Sequence, residues 1–143
     1  MIYQIMVLFH GLVNRNLRKL QTLYLRFWAF NQLWLVHGHL QALATNALKA
    51  PIPSNLQLLN QVQQQEIKRR VAAITWTARY HPCHPRCLHK SLVLYQWLHK
   101  QGIIAKLEVG WTGDIAHAWV VYNEQVLNDD PDIANSAIPL IKI

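Results

Sequence analysis

What is scarce in these 143 residues excludes several kinds of protein. There are two cysteines, Cys83 and Cys87, four positions apart, so no disulfide framework holds the chain together. A reducing, cytoplasmic setting is the expectation. Acid is almost missing from the first part: residues 1–80 hold nine Lys and Arg against one carboxylate, Glu66. Residues 81–143 hold five basic against six acidic residues, so the net +7 divides into +8 and −1. Such a basic half faces an anionic membrane surface or an acidic protein partner, or is a plain solvated face. No zinc-finger spacing, RNP signature or cluster of Arg among small residues is present, so nucleic acid is not an expected partner. Long apolar runs are lacking too. Phe27 to Leu48 carries no charge but is interrupted by Asn31, Gln32, His37, Gly38, His39 and Gln41, a poor bilayer span. The opening MIYQIMVLFHGLVN has no charged n-region and no small-residue cleavage site, unlike a secretory signal. Membrane contact is expected to be peripheral at most.

What is present is a folding chain. Hydrophobic residues make up 52% and aromatics 10%, enough for one domain over 1–143 with a sizeable core. Residues 2–12 have a helical bias, with a boundary at Asn14 and Asn16. From Leu17, the positions Leu20, Leu23, Tyr24, Phe27, Trp28, Phe30 and Trp34 follow a 3.6-residue period, which predicts a helix burying an aromatic stripe. Gly38 weakens it, and Pro51 and Pro53 end any continuation. Ser54 followed by Gln57 resembles a capping box. Leu56, Leu59, Val62, Ile67, Val71, Ile74 and Ala78 then keep helical spacing, with an interruption at Gln63–Gln65, up to Pro82. RCLHKSLVLYQWLHKQG reads as a helix from Cys87 to Gly102.

Beyond Gly102 the period changes to two. Ala105, Leu107, Val109 and Trp111 alternate with Lys106, Glu108 and Gly110, which predicts a strand. Thr112-Gly113-Asp114 is a turn, His117 to Tyr122 a second strand, and Val126 to Asp129 a third. Asp130-Pro131 breaks the pattern, and IPLIKI supplies a short final strand. Helices followed by a small antiparallel sheet make an α+β fold, with the helices as one layer over the sheet. Residues 1–80 are its helical, basic part and 81–143 carry the chemistry.

That chemistry rests on three residues. A cysteine opening a helix feels the positive end of the peptide dipoles, which favours the nucleophilic thiolate. A histidine held by a carboxylate moves the proton. Cys87 opens a helix, His117 begins HAWVVY, and Asp129 lies in VLND. With a three-residue loop at Asn123-Glu124-Gln125, Asp129 falls diagonally from His117 on the same face, as does Trp119. A two-residue loop reverses the parity and sets Asp130 opposite His117, so Asp130 is the reserve. Trp119 is the candidate substrate-binding wall of the site. The remaining aromatics, Phe27, Trp28, Phe30 and Trp34, are expected in the core. A rival cluster overlaps the cysteine: HPCHPRCLH brings His81, Cys83, His84, Cys87 and His89 into nine positions. Those are zinc-ligand types, but the spacing is irregular and two prolines stiffen the loop. Neither a metal nor another cofactor is expected.

CLHKSLVLYQWLHKQGIIAKLEVGW followed by HAWVVYNEQVLND resembles the transglutaminase-like leader peptidases of lasso-peptide biosynthesis, over roughly residues 70–130. ARYHP before the cysteine loop fits as well. The resemblance implies a transglutaminase-like, papain-like core and a stand-alone cysteine protease that removes the leader from a ribosomally made precursor peptide. Cys87 would be nucleophile, His117 base and then acid, and Asp129 its orienting partner. It also implies two protein partners, a small leader-recognition protein and the ATP-using enzyme that closes the macrolactam ring. The chain departs from the pattern at Asn123-Glu124-Gln125, where a glycine turn is usual. The competing readings are an acyl-transferase or amidase with the same triad, and a non-catalytic peptide-binding module.

Overall fold

The computed structural model describes the backbone of residues 2–50 and 58–139 and the side chains of 14–50 and 58–138. Four helices and a sheet hold most of it: α1 (Ile2–Gly38), α2 (Leu40–Leu48), α3 (Gln61–Tyr80), α4 (Cys87–Lys100), then β1 (Lys106–Thr112) and β2 (Ile115–Tyr122). Two-residue strands β3 (Gln125–Val126) and β4 (Ile138–Pro139) flank a short α5 (Pro131–Ser136). The architecture is α+β, as the change of period at Gly102 predicts.

α1 is a single 37-residue helix that passes straight through Asn14 and Asn16, where a boundary was expected. Asn costs roughly 0.7 kcal/mol relative to Ala inside a helix, too little to stop one whose later turns pack on a core. Its buried positions are Leu25, Ala29, Leu33 and Val36, spaced four, four and three residues apart. The aromatic stripe expected in the core is instead on the outside, with Phe27 71% and Trp34 55% exposed. Both sides of α1 carry apolar residues at helical spacing, and the side with the small Ala29 is the one that packs. Trp28 is half-buried beneath the Arg70 guanidinium, 4.2 Å away. Arg70 also lies 5.0 Å from the Trp97 ring and pairs with Glu66 at 3.1 Å, bracing α1, α3 and α4 together.

The capping box expected at Ser54 and Gln57, and the stops at Pro51 and Pro53, lie outside the described residues. α3 starts at Gln61, later than the periodicity from Leu56 suggests, because Asn60 supplies the cap. Its side chain accepts from Gln63 N–H at 2.8 Å, and the Gln63 side chain accepts from Asn60 N–H at 3.0 Å. The helix then runs through Gln63–Gln65 without the expected interruption. α4 ends with a Schellman turn: Ile103 N–H reaches Leu98 O at 2.9 Å, Gly102 N–H reaches His99 O at 3.0 Å, and Gly102 takes φ +74°.

The sheet is antiparallel with order β3-β2-β1-β4. Leu107 pairs with Val120, and these residues with Tyr122 join Leu92, Leu94 and Leu98 of α4, Ile74 of α3 and Leu33 of α1 in one buried cluster. The opposite parity carries Glu108, Gly110, His117 and Trp119. The β2–β3 connection is a two-residue turn: Tyr122 pairs with Gln125, and both Asn123 (φ 48°) and Glu124 (φ 63°) are left-handed. The three-residue loop and the strand expected over Val126–Asp129 are therefore corrected; β3 stops at Val126 and Asp129 lies beyond it.

Candidate functional site

Cys87 is the first residue of α4, half-buried, with its thiol free. As the helix-start residue, its own N–H has no intrahelical acceptor. The turn before it is held by His89, whose Nδ1 accepts from Arg86 N–H at 3.3 Å. That acceptance puts the ring proton on Nε2, which faces His37 Nδ1 on α1 at 3.3 Å. Burial, reinforced by His37, Arg86 and His81, pushes the His89 imidazole below its usual pKa.

The loop leading to Cys87 hangs on another histidine. His81 is 2% exposed; its Nδ1 accepts from Cys83 N–H at 3.2 Å and its Nε2 meets Phe30 O at 3.2 Å. The Phe30 ring also lies against it, tilted by 43°, with ring centroids 4.4 Å apart. Both nitrogens of His81 and of His89 thus serve structural hydrogen bonds. Among the described residues no group of three or more His, Cys, Asp or Glu is arranged to hold a metal ion.

The Cys87 thiol donates to the carbonyl of Ala116 at 3.7 Å, the residue immediately before His117. The thiol is therefore seated against the β2 strand that carries the imidazole, and its hydrogen bond goes to the backbone there. His117 Nδ1 lies 3.7 Å from Asp129 Oδ2, ion-pair range and longer than a hydrogen bond. The other carboxylate oxygen of Asp129 accepts from Asp130 N–H at 2.9 Å. Asp130, the reserve candidate, is occupied elsewhere: its side chain accepts from Asp132 N–H at 3.0 Å as the cap of α5. Although the two-residue turn favours Asp130 by register alone, Asp129 is the residue that meets His117.

Two residues that the sequence did not single out explain why. Ser91, fully buried one turn after Cys87, donates to Ala118 O at 2.7 Å. Its hydroxyl accepts from Asn128 Nδ2 at 2.9 Å, and Asn128 Oδ1 accepts from Val120 N–H at 2.8 Å. The Asn128 side chain takes over the pairing that a backbone carbonyl would make if β3 continued. The chain is thereby released from the sheet and Asp129 swings back toward His117. The legible signal was a serine at Cys87+4 in an otherwise apolar SLVL run.

Trp119 needs a different role from the one expected. It is 3% exposed, its Nε1–H donates to Glu108 Oε2 at 3.1 Å, and its ring crosses Gly110, the partner of His117 across the sheet. A Cβ on Gly110 would sit 2.8 Å from that ring. Trp119 supports the floor beside His117 and leaves almost no surface for a substrate.

A protein-family model described as the transglutaminase-like superfamily matches residues 34–139, about three quarters of the chain. The match takes in Cys87, Ser91, His117, Asn128 and Asp129. No curated protein and no solved structure gives a significant match.

Proposed function

This chain belongs to the transglutaminase-like superfamily, and from that premise we propose that it is a cysteine peptidase removing the leader from a ribosomally made lasso precursor peptide. The observation that carries the reading is the Cys87 thiol resting on the carbonyl next to His117, while His117 faces Asp129. The resemblance of CLHKSLVL and HAWVVYNEQVLND to leader peptidases supplies the substrate class.

In this reading Asp129 steers Nδ1–H of His117, leaving Nε2 to take the thiol proton. Catalysis requires the thiol to exchange the Ala116 carbonyl for that nitrogen. The thiolate attacks the carbonyl at the leader–core junction, and the free N–H of Cys87 faces the oxyanion. The C–N bond breaks as the imidazolium protonates the departing core amine. Water, deprotonated by His117, then hydrolyses the thioester and releases the leader as its carboxylate. The new amine becomes available to the ATP-using enzyme that forms the macrolactam.

A leader-recognition protein is the proposed docking partner. The surface offered to it is the groove between α1 and α3 lined by Arg18, Arg26, Arg69 and Trp76, with the Arg26 guanidinium 3.6 Å over the Trp76 ring. No carboxylate lines that groove.

The test mixes the chain with precursor peptide and recognition protein and follows products by mass spectrometry. Cleavage at one junction, lost in Cys87→Ala and His117→Ala and retained in Cys83→Ala, is expected. Full cleavage by Cys87→Ala refutes the mechanism. Capture of the leader by an added amine in preference to water reassigns the protein as an acyl-transferase.

A further inference from the structure

The loop that delivers Cys87 has few hydrogen bonds with which to hold itself. Residues 82–86 are Pro-Cys-His-Pro-Arg, so Pro82 and Pro85 have no N–H to donate. Of the others, Cys83 N–H goes to His81 Nδ1 at 3.2 Å, Arg86 N–H to His89 Nδ1 at 3.3 Å, and His84 N–H to His81 O at 3.1 Å. The same two rings reach α1 with their other nitrogens: His81 Nε2 meets Phe30 O at 3.2 Å and His89 Nε2 meets His37 Nδ1 at 3.3 Å. Phe30 and His37 lie about two turns apart on one helix, so both ends of the loop are fastened to one side of α1. Between them His84 takes φ 46°, a left-handed position for a non-glycine residue, which the surroundings must impose. We propose that His81 and His89 are positioning residues for Cys87, a clamp that holds the loop only while both imidazoles are uncharged.

Hydrogen-bond chemistry sets that condition. An imidazole that accepts at Nδ1 carries its one proton on Nε2, and that tautomer is the one able to donate to Phe30 O and to His37 Nδ1. One neutral form of each ring therefore serves all its contacts. A second proton makes both ring nitrogens donors, and the N–H of Cys83 or Arg86 then faces a donor. A proton on His37 Nδ1 severs its link to His89 in the same way. Burial, then His37 from α1 and Arg86 and His81 from the loop, hold His89 below its usual pKa; no group of α2, α3 or the sheet is among them. His81 is walled by the rings of Phe30 and Trp34, at 4.4 and 5.8 Å, with Cys83 as its titratable neighbour in the loop. The clamp is thus closed at neutral pH and opens as the pH falls beneath about 6.5. His89 also occupies the third position of α4, where a side chain can take up the N–H of the cap. At the start of α3 the same task falls to Gln63, an acceptor that does not titrate. Fixing Arg86 fixes the direction of the next peptide, whose N–H belongs to Cys87. The use of that N–H for the oxyanion rests on the proposed peptidase reading; the clamp itself does not.

The experiment is amide exchange and ring-nitrogen NMR on the isotope-labelled full chain. At about pH 7.5 both rings should carry their proton on Nε2, with the Cys83 and Arg86 amides protected. At about pH 5 the protection of both, corrected for intrinsic exchange, should fall about tenfold, while the Val120 N–H held by Asn128 keeps its own. His89→Gln supplies an acceptor that does not titrate and should keep Arg86 protected at both pH values. His89→Ala should lose that protection already at about pH 7.5. On precursor peptide, His89→Ala should lower kcat about tenfold with KM kept, and His89→Gln should restore it. A ring proton on Nδ1 of either histidine at neutral pH overturns the proposal. So does Arg86 protection that is unchanged down to about pH 5, or that falls equally in His89→Gln, and so does an unchanged kcat in His89→Ala. If the wild-type chain cleaves no precursor, the peptidase reading fails and amide exchange still decides the clamp.

Discussion

α1 and α4 are both apolar helices, and they use their apolar residues in opposite ways. α4 lies between the sheet on one side and α1, α2 and α3 on the other, so Leu92, Val93, Leu94 and Leu98 are all buried. Among the described residues α1 packs its core positions on one side, and Phe27 on the other stands 71% exposed. Apolar content is therefore no measure of core membership; the number of packed sides is. The buried helix begins with Cys87 of the proposed site, where a small displacement matters. The half-covered helix presents surface.

The contrast is sharpest in stability. Leu92→Ala should cost about 2–5 kcal/mol in urea unfolding, whereas Phe27→Ala should change stability by less than about 0.5 kcal/mol. Equal losses would mean that the outer side of α1 is packed in solution. Gly110→Ala comes next, at about 1–3 kcal/mol, because its Cβ would press on the Trp119 ring and on Ile138 O at 3.0 Å. Its cleavage rate should fall further than its melting temperature implies, since His117 is the cross-strand neighbour. Ser91→Ala strands Asn128 Nδ2 and the Ala118 carbonyl, for about 1–3 kcal/mol. Ser91→Thr, which keeps the hydroxyl, should recover more activity than Ser91→Ala; equal rates would remove the positioning role. Asp130→Ala should be mild, near 1 kcal/mol as a lost helix cap, with cleavage largely intact. Asp129→Asn should do the reverse, lowering the cleavage rate with little change in unfolding.

The smallest effect is the pH response of the junction between the two helices. His89 is held below its usual pKa, so the unfolded chain binds more protons there than the folded one as the pH drops beneath about 6.5. Its contribution is present in full above that value and declines as the pH falls toward the folded pKa. His89→Gln should flatten the pH dependence of urea midpoints between pH 7.5 and 5; an unchanged slope would place the proton elsewhere.

How much of this could be read from the chain differs by region in the same way. α4, β1 and β2 were legible because a buried element with a solvent boundary prints its period clearly, from Cys87 to Gly102 and from Ala105 to Tyr122. α1 was legible as a helix but not in its facing, since both sides repeat every 3.6 residues. The proximity of Asp129 to His117 was expected from a three-residue loop that does not exist. Asn123 and Glu124 make a left-handed two-residue turn without glycine, which no composition signal announces. Asn128 then substitutes for a strand, and a single asparagine in VLND gives no warning of that.

The hydroxyl of Ser91 has one more consequence. It is fastened at once to the strand between His117 and Trp119 and to the residue before Asp129, on the helix that begins with the sulfur. The three side chains of the proposed site therefore share a single hub and have no independent hinge. Warming should leave the relative placement of sulfur, ring and acid unchanged until the hub itself lets go, so loss of turnover on heating coincides with global melting instead of preceding it.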